Sequence, residues 1–356
     1  MIQQFIPYWG QEEKDAVMDV LDGDFLLEHK KTREFEKAFA EFVGAKYCIT
    51  CTSGTVALYL AIMAKNYKHV AVPSYQGLFA ANASLMAGAA VKIFDVDKNG
   101  SFDNEKKQWP LTNGGTDIPK ITVHANGRLG GVDEIEDCAQ AISHHTIGKT
   151  SCYSFASTKH ITTSGQGGAV CTDDKEMFDK LTELKDQGRT DRQNLKAPSD
   201  TFEKWGTNFK FTEIQAAFGL AQLKGLPKRL ERLRAINMIY YDYLADKVEF
   251  KDVPMWYIDI FTKDPDKIVN KTKDKGFVTK RVHKPIHMQP LYEGARVEVP
   301  NQYTDYDTYE VETYLLNNKE YPISRQIYDT GVFLPSTTNL TDEEVKGIGE
   351  SIRKIL

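Results

Sequence analysis

The stretch from Tyr47 to Phe94 alternates short apolar runs with helical ones, and that alternation constrains the fold more than any other feature. Tyr47–Cys51 reads as a strand, Thr52-Ser53-Gly54-Thr55 as a turn and Val56–Ala64 as a helix. His69–Val72, Leu78–Ala87 and Val91–Phe94 follow as strand, helix and strand, a βαβ unit. Strands interleaved with helices imply a mostly parallel sheet covered by helices, an α/β fold. In such folds the loops at strand ends carry the reactive side chains.

One such loop holds a lysine. In Ser154–Gly168 (SFASTKHITTSGQGG), Lys159 lies between an apolar run with Tyr153 and Phe155 and a turn containing Gly165, Gly167 and Gly168. A strand is expected to end near Phe155 and another to begin at Ala169. A lysine amine forms a Schiff base with an aldehyde, and pyridoxal phosphate is the commonest protein-bound aldehyde. Upstream, Glu136-Asp137-Cys138-Ala139-Gln140-Ala141 follows Val132 and Ile135, the end of another expected strand. A pyridine nitrogen stays protonated when a carboxylate is held against it, a role open to Asp137, with Gln140 positioned for the phenolic oxygen. Taken singly, a lysine is usually exposed and a strand-end Asp usually caps a turn. Together they form a cofactor pair.

EDCAQA and SFxxxK with its glycine turn stand in order with GAKYCITCTSGTVAL, GTNFKFTEIQAAFGLAQL, KPIHMQPLY and GVFLPSTTNLTDEEV. Over nearly its whole length the chain thereby resembles the DegT/StrS family of sugar aminotransferases. The resemblance implies the fold-type-I, aspartate-aminotransferase-like PLP-transferase architecture. That means a large cofactor domain with a mixed, mostly parallel sheet (1–225) and a smaller C-terminal α/β domain (226–356). It further implies Lys159 and Asp137 as catalytic residues, and Ser53, Gly54, Thr55, Gln140 and Ser154 as cofactor contacts. Asn208 would reach the cofactor phosphate from the neighbouring subunit of a homodimer with shared active sites. Lys210, Arg189 and His287 would face the substrate. The expected reaction carries an amino group from L-glutamate, through the pyridoxamine phosphate form, to a nucleotide-linked keto-sugar in amino-sugar and surface-polysaccharide biosynthesis. Gln187-Gly188 resembles the version in some 4-amino-sugar enzymes, which favours a 4-keto-6-deoxy sugar.

The chain also departs from the family. Gly77 falls where an aromatic covers the pyridine ring, which leaves Tyr75 or Phe79 to take that part. Lys210 stands where Arg is common, and keeps the charge without the bidentate fork. Only 11 residues separate His124 from Glu136, where relatives fit a helix and a strand, so the core is expected to lack one βα unit and to leave one sheet face less covered. A sugar 3-dehydratase on this scaffold would carry His in place of the lysine, so Lys159 decides for aminotransfer. A catalytically silent cofactor-binding regulator stays open as an alternative. A cysteine-desulfurase-like lyase would need a reactive Cys on a loop, and Cys138 and Cys152 read as strand-embedded.

Bulk properties fit this reading. The net charge of −5 offers no basic footprint for nucleic acid. The longest apolar run, Val56–Ala64, is too short for a bilayer, and the N-terminus has no signal-peptide pattern. Five cysteines in a chain of this length suit a reducing, cytoplasmic setting. No metal is expected, since Cys48-x-x-Cys51 lacks a second such pair or a nearby His pair. Further helices are expected over 11–22, 32–43, 176–186 (capped by Asp173 or Asp174), 212–223 and 228–244. Strands are expected over 255–261 and 277–281, with a polar loop over 189–205.

Overall fold

A computed structural model of the chain describes residues 1–101, 112–113, 116–131, 133–145, 149–189, 202, 204–250, 256–292, 296–299, 309–314 and 321–356. Most of the 189–205 loop, Val132 and Met255 lie outside the described residues.

Among the described residues, seven strands carry the site: β1 (Tyr47–Cys51), β2 (His69–Pro73), β3 (Ala90–Phe94), β4 (Ile121–Val123), β5 (Ile135–Asp137), β6 (Thr150–Ser154) and β7 (Gly168–Thr172). Five of them lie in the order β1-β7-β6-β5-β4, with β7 antiparallel to both neighbours and β4, β5 and β6 parallel. A parallel bridge, Ala71↔Lys120, ties this group to the parallel pair β2–β3. The α/β fold with a mostly parallel mixed sheet is therefore the one the sequence implied.

Alternation along the strands divides two cores. Ile49, Cys152 and Val170 face one side, where they pack with helices α3 (Gly54–Lys65) and α4 (Leu78–Met86). Cys48, Tyr153, Ala169 and Cys171 face the other, against Phe35 and Phe39 of α2 (Lys30–Val43). α1 (Gln11–Leu21) and α5 (Lys175–Lys185) complete the covering, α5 capped by Asp174. α3 is apolar on every side because it is covered on every side.

The expected loss of a βα unit takes a narrower form. β4 and β5 are both present and paired from Ile121↔Ile135 onward. What the connection lacks is a crossover helix: among the described residues of 124–134 there is one 3-10 turn, Ala125–Gly127. Parallel neighbours are ordinarily joined by a dozen or more residues and a helix.

A second correction concerns the two helices expected over 212–244. They are one, α6 (Glu213–Leu244), 32 residues long and continuous through Pro227. Proline removes a backbone donor and leaves carbonyls of the preceding turn short of a partner. The Arg229 guanidinium folds back over Gly225 and donates to the Gln222 carbonyl oxygen. The first half of α6 packs on the large sheet through Leu223, Leu226 and Leu230, and its second half through Leu233, Ile236 and Tyr240 on the C-terminal part. There β8 (Asp259–Phe261), β9 (Lys280–Arg281) and β12 (Gly331–Phe333) form a small sheet, with α7 (Pro265–Thr272), α8 (Pro322–Thr330) and α9 (Asp342–Ile355). Between these, β10 (Arg296–Val299) and β11 (Tyr309–Tyr314) extend the β2–β3 edge.

Glu213, the first residue of α6, also holds the start of α2. Its carboxylate accepts from the backbone N–H of His29 (2.8 Å), Lys31 (2.7 Å) and Thr32 (2.9 Å), and from the Thr32 hydroxyl (2.8 Å). Glu213→Ala strands those donors, and should lower stability by about 2–3 kcal/mol. A urea midpoint that does not move would refute this role.

Candidate active site

The glycine-rich loop after β6 is a hydrogen-bonded cage. Phe155 N donates to Gly167 O (2.8 Å), Ser157 N to Gly165 O (3.0 Å) and Thr162 Oγ1 to Phe155 O (3.1 Å). Gly165 sits at φ +114, a conformation that strains any other residue. From this cage Lys159 turns inward, its Nζ 4.1 Å from the centre of the Trp256 ring. Trp256 is buried, and its Nε1 donates to Thr158 O (2.9 Å), clamping the lysine-bearing turn. It was expected only to fill core, and it does so while forming a wall of the site.

Asp137 ends β5 in a buried position, with Oδ1 accepting from Ala139 N (3.0 Å). Burial pushes its carboxyl up, while the Ala139 hydrogen bond and the charge of Lys159 pull it back. Burial likewise lowers the Lys159 amine to about 8, and Asp137 opposes that fall. The two groups are thus electrostatic partners at adjacent strand ends, as the sequence reading required. Next to Lys159, burial takes the His160 ring down to about 3, so it is neutral.

The start of α3 lies against the same strand ends. The Ser53 hydroxyl accepts from Val56 N (3.2 Å), a regular N-cap. A Cβ on Gly54 would stand 2.6 Å from the Ser154 Cβ, and one on Gly168 would stand 2.3 Å from the Ser53 carbonyl oxygen. Only glycine lets the helix N-terminus and the Ser154 side chain share one place, and helix N-termini attract phosphate. Thr55 follows in the first turn. Ser53, Gly54, Thr55 and Ser154 are thereby gathered together.

Gln140 is buried and already engaged: Oε1 accepts from Asn126 N, and Nε2 donates to Gln76 Oε1 (2.9 Å). One Nε2 hydrogen remains for a ligand. Gln76 itself is buried at φ +65, and its Nε2 finds no hydrogen-bond partner. An orphaned buried donor beside Gln140 fits an acceptor atom of a bound molecule. The sequence reading missed Gln76. Its neighbour Gly77 is fixed by packing, because a Cβ there would meet the Pro73 carbonyl oxygen at 2.1 Å. Of the two expected stand-ins, Tyr75 is buried in a core cluster with Trp256 and Tyr257, and Phe79 is 54% exposed.

Asn126 was also missed. It adopts the left-handed region at φ +57, which Asn tolerates better than most residues. Its side chain pairs with the Tyr257 backbone in both directions, Nδ2 to O (2.7 Å) and Oδ1 from N (2.9 Å). Two residues on, Arg128 meets Asp259 in a buried bidentate pair, NH1 to Oδ2 at 3.0 Å. These two contacts fasten the β4–β5 connection to the C-terminal part. The partner of Asn126 lies 131 residues away, so no local pattern announces the contact.

The substrate-facing candidates fall in two places. Lys210 Nζ pairs with Asp186 Oδ1 (2.6 Å), which Arg189 also approaches (3.4 Å), while Asp186 bridges to Asn208 through the backbone. His287 lies elsewhere and is buried. Its Nδ1 is 2.7 Å from the Ser74 hydroxyl, its ring stacks on Tyr321, and burial lowers it to about 4. The basic cluster expected around it is dispersed, since Arg281 pairs with Asp266 and His283 stacks on Trp256. All five cysteines are buried thiols, and among the described residues no helix is long and apolar enough to cross a membrane.

This geometry coincides with a known family. Residues 7–353 match the family model described as DegT/DnrJ/EryC1/StrS aminotransferase family. The chain is 30% identical over 390 aligned positions to the GDP-perosamine synthase of Escherichia coli O157:H7, covering 99% of this chain and 98% of that protein. It is 32% identical over 252 positions to a UDP-4-amino-4,6-dideoxy-N-acetyl-beta-L-altrosamine transaminase of Campylobacter jejuni, covering 65% and 66%. Its fold superposes on Helicobacter pylori PseC, an aminotransferase involved in the biosynthesis of pseudoaminic acid, with a TM-score of 0.81 at 22% identity, covering 99% and 98% of the two chains. A match over nearly the full length, with the lysine, the carboxylate and the helix N-terminus converging, leaves one assignment: the chain belongs to the DegT/DnrJ/EryC1/StrS aminotransferase family.

Proposed function

We propose that this chain moves an amino group from an amino acid, glutamate, to the keto carbon of a nucleoside-diphosphate sugar, a 4-keto-6-deoxy sugar, with pyridoxal phosphate held at Lys159. The observation that carries the reading is the buried Lys159–Asp137 pair beside the start of α3. The names of the relatives support the substrate class, since they act on GDP- and UDP-linked sugars.

When bound, this cofactor supplies an electron sink that stabilises negative charge on the substrate carbon. The chain's own groups do the rest. Lys159 Nζ would hold the cofactor's aldehyde, and its free amine would serve as general base toward the donor's Cα. Asp137 would hold a proton on the ring nitrogen. The Gly54 and Thr55 N–H groups and the Ser154 hydroxyl would bind the phosphate, and Gln140 Nε2 would donate to the phenolic oxygen. Lys210 and Arg189 face the sugar diphosphate. Asn208 completes the phosphate site of a second copy in a homodimer.

Borohydride reduction followed by peptide mass spectrometry tests this directly. The cofactor mass should appear on Lys159 and vanish after prior incubation with glutamate; a Lys159 that stays unmodified at cofactor saturation sinks the proposal. Competition among GDP-, dTDP- and UDP-sugars then identifies the nucleotide. The pH dependence has a definite sign. Only the neutral amine attacks the aldehyde, and the amine titrates at about 8. Cofactor capture by the cofactor-free protein should therefore rise roughly tenfold per pH unit up to about pH 8 and level off above it. A flat profile would contradict the buried amine.

A further inference from the structure

The shortened β4–β5 connection leaves a buried polar cluster on the sheet, on the side of β5 away from Asp137. Glu136 is fully buried, and Cys138 follows it in sequence. A ring nitrogen of His124, a Glu136 oxygen and the Cys138 Sγ lie within 4.8 Å of one another. A fourth donor stands beside them: His144 Nε2 is 3.7 Å from Glu136 Oε1, the same distance as His124 Nε2, and the two imidazole rings meet edge to face at 4.6 Å.

The geometry points to a divalent transition-metal site, of the zinc type, formed by His124, Glu136 and Cys138, with His144 alongside Glu136. A gap of 3.7 Å is too long for a hydrogen bond. It does suit two ligands of one ion, since a tetrahedron with bonds of about 2.0–2.3 Å has edges of about 3.3–3.8 Å. Imidazole, carboxylate and thiolate together select zinc over the hard cations. His124 Nε2 supplies the second, independent sign: the residue is 1% exposed, and this nitrogen has no hydrogen-bond partner. Outer contacts orient the carboxylate, as they do around metal ligands generally. The Ser151 hydroxyl donates to Glu136 Oε2 (3.3 Å) and stands 2.9 Å from His145 Nδ1.

Binding needs one rearrangement. Gly130 N donates to His124 Nδ1 (3.0 Å), which leaves the ring proton on Nε2. A metal at Nε2 moves that proton to Nδ1, so the 129–131 turn must shift; Leu129 in this turn is 58% exposed and free to do so. Three protein donors leave the fourth position to His144 at the rim or to a water. The site would tie β4, β5 and the turn before β6 together where relatives of ordinary length place a helix.

The test uses the full-length chain, stripped with a chelator and titrated with Co²⁺. One equivalent should bind, with visible bands of tetrahedral cobalt and a thiolate-to-cobalt charge-transfer band, both displaced by Zn²⁺. Cys138→Ser should abolish the charge-transfer band, and His144→Ala should weaken binding tenfold or more. Because core substitutions can fail to fold, the unmodified protein gives a separate reading: Zn²⁺ should raise its Tm. Absence of cobalt uptake, a charge-transfer band that survives Cys138→Ser, or a Tm indifferent to Zn²⁺ would each overturn the site.

Discussion

Lys159→Ala should reduce amino transfer by at least about 10²–10⁴-fold, the range expected for loss of a positioned acid–base group, with loss of the covalent anchor added to it. The fold should survive, since the amine lies against the Trp256 ring and is coupled to Asp137 through charge. Asp137 registers the change: without the cation that counters its burial, its carboxyl rises further. Lys159→Arg should be equally inactive, because guanidinium stays charged and cannot serve as the base. Single-turnover measurement of each half-reaction is the check. A variant that retains a tenth of the wild-type rate would remove Lys159 from the chemistry.

Asp259→Ala carries the largest expected cost in stability, about 3–5 kcal/mol, because it removes the carboxylate that grips the buried Arg128 guanidinium in a bidentate pair. Replacing both residues with leucine should recover most of that loss, since the buried pair contributes little beyond its own desolvation. The single variant should also weaken cofactor binding. The β4–β5 connection that Arg128 fastens carries Asn126, whose N–H holds Gln140. Urea unfolding of the single and double variants decides, and a loss below about 1 kcal/mol for Asp259→Ala would show the pair to be dispensable.

The sequence made legible whatever is local. Lys159 on its glycine turn, Asp137 at a strand end and the Ser53 cap each rest on a few adjacent residues, and the structure keeps each within one turn of its expected place. Position across the chain was less legible. The two helices expected over 212–244 are one through Pro227, where the Arg229 side chain donates to the Gln222 carbonyl oxygen, a contact that periodicity does not encode. Trp256 read as core, and Asn126 and Arg128 drew no reading at all, because their partners are far away in sequence. His287 misled for the opposite reason. A run of basic residues looked like one surface, but the backbone sends its members to different partners.

The brevity of the β4–β5 connection also bears on the order in which the sheet can assemble. The pairs that begin at Ile121↔Ile135, Ile135↔Thr150 and Ser154↔Gly168 are each closed by roughly 15 residues of chain, whereas Tyr47↔Thr172 requires a loop of roughly 125. Closing the shorter loops costs about 2 kcal/mol less entropy apiece, so the four strands that carry Asp137 and Ser154 can form a nucleus before β1 arrives. Pulse-labelled hydrogen exchange should find Thr122, Glu136 and Cys152 protected ahead of Ile49; simultaneous protection would mean that β1 docks with the nucleus. The strand that leads into the phosphate cradle would then be the last to arrive, and the site would acquire its acidic partner before it acquires its anion pocket.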